Sequence, residues 1–414
     1  MHDILPADLP YWQKLELAVQ DVFTRYGFAE IRIPVVEKTE LFTRAIGAAT
    51  DVVEKEMYTF ADRNGDELSL RPEGTAGVVR AVLQNGLLYA APLRLWYCGP
   101  MFRRERPQKG RTRQFHQIGA EVFGAAGPDI DAELLAMCQR TWTELGISGL
   151  RLEINSLGTA AERHRYRAAL RDHFTANHSR LDEDSIRRLE RNPLRIMDSK
   201  SPAMQELIAA APSLQDYLGE DSRSHFDQLR RYLDALEVAH VINPRLVRGL
   251  DYYSHTVFEW ITDRLGAQGT VCAGGRYDGL IELQGGKPWP GIGFAMGQER
   301  LVELMRSSAE ILPLPPHVYL VMVGEDTHAD GLRLAELLRQ NIPSLRVQVN
   351  LGGGSFKSQF KRADRSGAEL ALIMGEEELQ QGEVSIKHLR TEAGQERIRL
   401  DCLLQWFSGW LNPV

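Results

Sequence analysis

Along the first thirty residues the apolar positions recur with a helical period, Leu15, Ala18, Val19, Val22, Phe23 and Tyr26 falling at i, i+3 and i+4 spacing. Asp8 as a cap, Pro10 in the first turn and Gly27 as the stop predict an amphipathic helix between them. The period then shortens to two. AEIRIPVVE, residues 29–37, alternates as a strand does. Pro34 within it predicts an edge, a bulge or a strand meeting a partner outside its own sheet, a subunit interface being one such place. LSLRPE, residues 68–73, is a short strand running into Gly74 and Thr75, with a helix expected over 76–88. Strand, carboxylate, small hydroxyl and helix start together present an acid and helix amides to a small polar ligand. A plain helix cap at Thr75 with Glu73 as its dipole partner satisfies the same pattern.

Residues 97–124, YCGPMFRRERPQKGRTRQFHQIGAEVFG, read as two strands joined by a strongly basic loop, and the rest of the chain is organised around them. Arg103, Arg104, Arg106, Lys109, Arg111 and Arg113 stand there against the single anion Glu105. A solvated loop is the bland reading, and a holder of a polyanion the functional one. Alternation along 115–123 turns Gln117, Gly119 and Glu121 toward one side.

A helix over 129–145 and a strand over 150–154 follow. Residues 159–239, rich in Arg, Glu, Asp, Ala and Leu with little strand signal, read as a helical inserted module whose charge is a solvated face. Strand signals resume at 248–262, 269–280 and 291–300, the last opening a helix at 301–305. LPLPP at 312–316 is a stiff, extended linker and a domain boundary. Beyond it, strands at 318–323, 345–350, 370–374 and 383–386 alternate with helices at 331–340, 355–364 and 401–410, a compact α/β domain. Gly352 to Gly354 precede a helix but lack the GKS/T and GxGxxG patterns, so a flexible turn is expected there.

With 414 residues, 43% hydrophobic and 25% charged, the chain has room for two to four domains. Its net charge of −7 excludes a protein that coats nucleic acid nonspecifically, so any such contact must use local basic surface. Cys98, Cys138, Cys272 and Cys402 are isolated, which argues against structural zinc or a disulfide framework and for a reducing, cytoplasmic compartment. There is no secretory pattern, and no apolar run approaches the roughly 18 residues of a membrane span.

Chemistry concentrates in four segments at strand ends: Arg103 with Glu105, Arg248 with Asp251, Tyr252 and Tyr253, GGRYDG at 274–279, and GQER ending in Arg300. Arginine matches phosphate oxygens in bidentate fashion, and glycine lets backbone approach a ligand. Singly each is weak. In order they resemble a known family: FRRE at 102–105 is similar to motif 2 of the class II aminoacyl-tRNA synthetases, the stretch around Pro34 to their dimer-forming motif 1, and GIGFAMGQERL at 291–301 to motif 3. RGLDYY at 248–253 and AGGRYDGL at 273–280 resemble the two signatures of the histidyl-tRNA synthetase family, which LRPEGTA at 70–76 also fits.

The resemblance covers essentially the whole chain and implies an α/β protein with an antiparallel-sheet class II catalytic domain. That domain would be formed by residues 1–158 and 241–311, interrupted by a helical insertion at 159–240, with a linker at 312–316 and an anticodon-binding α/β domain at 317–414. It implies an ATP- and Mg²⁺-dependent, homodimeric histidine–tRNA ligase with histidine and tRNA(His) as substrates. By resemblance Arg248 and Arg103 are catalytic, and Arg103, Glu105, Arg248 and Arg300 bind ATP. Glu73, Gly74, Thr75 and Gln117 surround the histidine amino end; Glu121, Tyr252 and Tyr253 line its ring. Arg106, Gln108, Lys109, Arg111 and Arg113 meet the tRNA acceptor end, and the metal ligands stay unassigned. Family members usually carry several residues, an Arg-Gly among them, ahead of the position of Met1.

Two alternatives stand beside this reading. A regulatory paralogue, such as that of ATP phosphoribosyltransferase, typically lacks the C-terminal domain and erodes the catalytic arginines, whereas Arg103, Arg248 and Arg300 are all present here. A class II synthetase for another amino acid is disfavoured by RGLDYY together with AGGRYDGL.

Overall fold

The computed structural model describes residues 1–47, 50–105, 112–197, 199, 201–248, 250 and 252–411. It divides into two compact units, residues 1–311 and 312–414. Among the described residues, no helix is long and apolar enough to cross a membrane.

The first unit is built on an eight-stranded sheet in the order Ala29–Glu30, Leu93–Phe102, Gln114–Phe123, Gly291–Gly297, Thr270–Arg276, Ser254–Ile261, Arg151–Ser156 and His240–Ile242. The two outermost pairings are parallel and every other one is antiparallel. This is the antiparallel-rich sheet that the family resemblance implied. Period-two alternation sorts its side chains: Trp96, Ile118, Ala120, Val122, Phe258, Trp260, Phe294 and Met296 face a layer of helices, where they meet Leu15, Val19, Val22 and Phe23 of the helix Leu9–Arg25. Each fully buried Val, Leu, Ile, Phe or Met among these contributes about 1.5–3 kcal/mol. The opposite face, bearing Tyr97, Glu121 and Val257, is left to form the functional cleft.

The helix Leu9–Arg25 starts with Asp8 at its cap position, but the Asp8 side chain makes no capping bond. It pairs instead with Arg306. The strand expected over 29–37 splits at Pro34. Ala29–Glu30 joins the large sheet, whereas Val36–Lys38 joins a three-stranded sheet with Tyr58–Ala61 and Glu67–Leu70. Proline lacks the N–H a continuous ladder needs, so the chain changes partner there. Arg71 bridges the break, donating from Nη1 to the Ile33 carbonyl at 2.8 Å and from Nε to the Pro100 carbonyl at 2.8 Å.

Residues 159–239 are helical, as their composition suggested, though they do not form one separate mass. Glu220–Ala235 buries Phe226, Leu229 and Leu233 in the same core as the helix Pro128–Glu144. Glu162 ties the start of this stretch to the start of the helix Glu220–Ala235, accepting from the Thr159 and Gly219 amides at 2.7 and 2.6 Å and from the Ser222 hydroxyl at 2.7 Å.

The second unit is a five-stranded sheet in the order Val347–Val349, Val318–Val323, Leu370–Gly375, Glu383–His388 and Gln395–Arg399. The first three strands are parallel and the last two antiparallel. Gln395–Arg399 escaped the sequence pattern because, as a polar edge strand, it buries too little to alternate clearly. Gly352, Gly353 and Gly354 take φ of 73°, 58° and 104° before the helix Phe356–Arg365, a turn open to glycine and strained for other residues.

Candidate active site

The free face of the large sheet carries a cleft of about 270 Å³. Arg103, Arg248 and Arg300 line it together with Glu73, Gln117, Tyr252 and Tyr253. The hairpin places Arg103 just past Phe102. Its Nε donates to the Pro72 carbonyl at 2.9 Å, and its guanidinium lies 5.3 Å from the centre of the Phe115 ring, with Glu105 at 3.8 Å. Arg300 lies in the first turn of the helix Gln298–Arg306 and donates to the Thr270 carbonyl.

Arg248 approaches from the segment before the strand Ser254–Ile261, pairs with Glu259 and lies 5.6 Å from the Tyr253 ring centre. Burial alone would lower its pKa, but Glu259 and Tyr253 more than offset this, and the guanidinium is held in its charged form. Glu259 also accepts the Thr270 hydroxyl at 2.8 Å. Three cations from three elements thus face one space, an arrangement suited to a phosphate chain.

The other end of the cleft is acidic and phenolic. Glu73 is buried and accepts the amides of Thr75 and Ala76 at 2.7 and 3.0 Å, so the carboxylate caps the helix Thr75–Gln84. The Thr75 hydroxyl is thereby free to turn elsewhere, donating to Glu121 Oε1 at 2.7 Å. Gly74, at the helix cap position, and Gly119, on the cleft face of its strand, leave room for Tyr97; a Cβ at either would lie 2.3 or 2.2 Å from its ring.

Glu121 is fully buried, and burial pushes its pKa up to about 8 despite hydroxyls donated by Thr75 and Tyr277. Burial beside Glu121 keeps the phenols of Tyr97 and Tyr277 protonated, hence as donors. Tyr252 and Tyr253 lie 4.6 Å apart, ring centre to centre. Gln117 Oε1 is buried with no protein partner, leaving an acceptor for a ligand.

Not every predicted residue falls here. Arg113 is exposed and outside the cleft lining, its carbonyl accepting from the Arg103 amide at 2.9 Å at the base of the loop. Arg106, Gln108, Lys109 and Arg111, with Asp251, lie outside the described residues. Arg276 of GGRYDG, grouped by sequence with the cations, points to the helical side, where it is fully buried and bonds Asp131 Oδ2 at 3.0 Å and the Gly127 carbonyl at 2.6 Å. Its neighbour Tyr277 takes the cleft side. Sequence reading passed over Tyr97, Glu259, Thr270 and Tyr277, although parity along paired strands was a usable signal: Glu259 pairs with Ala273 and Gly293 with Glu121.

Among the described residues, no three His, Cys, Asp or Glu side chains group in a way that holds a metal ion.

Cationic and amino-acid-sized halves of one cleft on an antiparallel sheet define the catalytic body of a class II aminoacyl-tRNA synthetase. Comparison with known proteins narrows this class. The Histidyl-tRNA synthetase family profile matches residues 1–301 and that of an anticodon binding domain residues 317–410. The chain is 58% identical over 410 residues to a Histidine–tRNA ligase of Alkalilimnicola ehrlichii, covering 98% of this chain and 94% of that one. A protein of the same name from Hydrogenovibrio crunogenus is 56% identical over 402 residues, covering 97% and 94%. The crystal structure of apo S. aureus histidyl-tRNA synthetase superposes with a TM-score of 0.83 at 35% identity, covering 98% of each chain. This chain belongs to the histidyl-tRNA synthetase family.

Proposed function

We propose that this chain is a histidine–tRNA ligase: histidine and ATP form histidyl-adenylate and pyrophosphate, and the histidyl group then passes to the 3′ end of tRNA(His). The observation that carries the reading is the convergence of Arg103, Arg248 and Arg300 on a single cleft whose far end holds Glu73, Gln117 and Glu121. Attack of the histidine carboxylate on the α-phosphate needs no nucleophile from the protein. Positioning and neutralisation of the developing charge supply the rate. In this assignment Arg248 and Arg103 hold the α-phosphate, Arg300 the phosphate tail, and Glu105 the adenine end.

Glu73, with Gly74, Thr75 and Gln117, receives the α-ammonium. Glu121, Tyr252 and Tyr253 surround the imidazole, which offers one N–H donor and one acceptor. A site that hydrogen-bonds the ring rejects analogues lacking its nitrogens by roughly 10⁴-fold. Were Mg²⁺ to accompany the ATP phosphates, Glu105, Glu259 and Glu299 are the carboxylates that line the cleft near the arginines, and oxygen donors of this kind would suit it. When bound, the ion supplies charge neutralisation along the phosphate chain.

Residues 106–113 read the tRNA acceptor end, Arg106, Gln108, Lys109, Arg111 and Arg113 contacting phosphates and unstacked bases. The unit beyond 312–316 meets the anticodon, and residues 159–240 form an insertion between the catalytic segments 1–158 and 241–311. The segment around Pro34 pairs two chains as a homodimer, which acts in the cytoplasm.

Amino-acid-dependent exchange of labelled pyrophosphate into ATP, without tRNA, tests the core of this proposal. Stimulation by histidine alone is expected. Stimulation by another amino acid, or none while histidine still binds, would overturn it.

A further inference from the structure

Glu121 has an unusual set of neighbours for a fully buried carboxylate: among the described contacts it is met by hydroxyls, with no cation bonded to it. Thr75 donates to Oε1 at 2.7 Å, Tyr97 stands 3.5 Å from the same oxygen, and Tyr277 donates to Oε2. The negative charge of Glu73 acts on it as well and disfavours ionisation. From the remaining elements packed around it come the protonated phenols of Tyr252 and Tyr253, while the strand Gly291–Gly297 contributes backbone.

Tyr277 is built into this position with more care than a wall residue needs. Its amide donates to the Gly291 carbonyl at 2.8 Å, and the next side chain, Asp278, accepts the Gly291 amide at 3.0 Å, so the backbone is clamped on both sides. A Cβ at Gly291 would lie 2.5 Å from the Tyr277 ring, and one at Gly293 would lie 1.7 Å from Glu121 Oε2. Both glycines therefore make room for one hydroxyl–carboxylate contact. The ring of Tyr277 meets Tyr252 edge-on at 5.7 Å, which places it between two residues assigned to the imidazole.

We infer that Tyr277 is a positioning residue for histidine recognition: by donating to Oε2 it aims the Glu121 carboxylate so that it can accept the imidazole N–H. This rests on the assignment of Glu121 to the ring. The physical consequence follows from a competition. Burial drives Glu121 toward its protonated form, which offers no charged acceptor, and the donated phenol opposes this. Without the Tyr277 hydroxyl the carboxyl holds its proton to still higher pH, and histidine meets a misaligned acid that stays neutral over a wider range.

The test is the pH profile of kcat/KM for histidine in pyrophosphate exchange, measured on the full chain and on Tyr277→Phe. Substrate titration is common to both proteins, so the difference reports the enzyme. The acidic limb is expected to move up by about one pH unit, with histidine KM about tenfold higher at neutral pH and ATP KM within twofold of the parent. An unmoved limb, or equal losses for histidine and ATP, would overturn the inference. Tyr277→Phe keeps the ring and its packing; its thermal unfolding midpoint reports whether folding is intact. If that midpoint falls sharply, Thr75→Val supplies the second measurement, because loss of the other donor must move the same limb in the same direction. Glu121→Gln separates the two layers: unchanged histidine KM there means the assignment of Glu121 has failed, whereas a large rise with Tyr277→Phe unaffected means only the positioning role has failed.

Discussion

Replacing Gly293 by alanine probes the recognition end of the cleft with a single methyl group. The added carbon would sit 1.7 Å from Glu121 Oε2, and real contacts of this kind stay beyond 3.0 Å, so the carboxylate must retreat by at least 1.3 Å. A shift that large takes Glu121 out of register with its Thr75 and Tyr277 donors, and with any ring nitrogen it was aimed at. Above pH 8, where Glu121 is ionised, a hydrogen bond to it contributes about 1.5–3 kcal/mol, so histidine KM measured there should rise roughly 10- to 150-fold. ATP KM should stay within about threefold, because the arginines lie at the other end.

The methyl would also lie 2.6 Å from the Ala120 carbonyl, so folding must be checked by thermal unfolding. Gly279→Ala is the companion variant: nothing lies within 4 Å of its added carbon, and it should behave as the parent. Pyrophosphate exchange at varied histidine and varied ATP reads both constants. If folded Gly293→Ala matched Gly279→Ala in histidine KM, the placement of Glu121 against the substrate ring would be wrong.

Arg248→Ala should lower histidine activation by about 100-fold, on the order of losing one strong preorganised donor, and near-normal exchange would contradict the catalytic assignment. Arg248→Lys should recover little, since a point charge cannot reproduce the planar fork. Native Glu121 keeps its proton to about pH 8 while the unfolded chain releases it near 4.5, so unfolding releases a proton between those limits and stability falls as pH rises through them. Glu121→Gln removes this slope, so calorimetry should show its unfolding midpoint gaining on the parent more at pH 8 than at pH 5; an equal difference at both would refute it. Arg276→Met strands the buried Asp131 charge and should cost about 3–5 kcal/mol in chemical denaturation without touching the cleft directly.

Parity made much of this molecule legible in advance. The alternation of residues 115–123 already separated Gln117, Gly119 and Glu121 from Ile118, Ala120 and Val122, and the structure keeps the two sets on opposite faces. Local signals were weaker wherever a residue's role depended on a distant partner. The plain local pattern made Thr75 the cap and Glu73 its dipole partner; in the structure the Glu73 carboxylate caps instead, and the Thr75 hydroxyl reaches across to Glu121. Arg276 looked like a phosphate ligand because its destination, Asp131, lies 145 residues away in sequence. Pro34 signalled a break, yet which sheets took the two halves is settled by pairing with Leu93–Phe102 and Glu67–Leu70, which no window around the proline contains.

The glycines around Tyr97 and Glu121 bear on how substrate choice in this scaffold can be altered. Positions 74, 119, 291 and 293 already carry the smallest residue there is, so no truncation there can widen the cavity for a bulkier amino acid. Beside the carboxylate, space comes from shortening Tyr97 or Tyr277, the very side chains whose hydroxyls face Glu121. Enlargement at that point and loss of a Glu121 donor are therefore the same substitution. A variant library aimed at larger substrates must supply a new partner for that carboxylate, or neutralise it, in the same step that removes the ring.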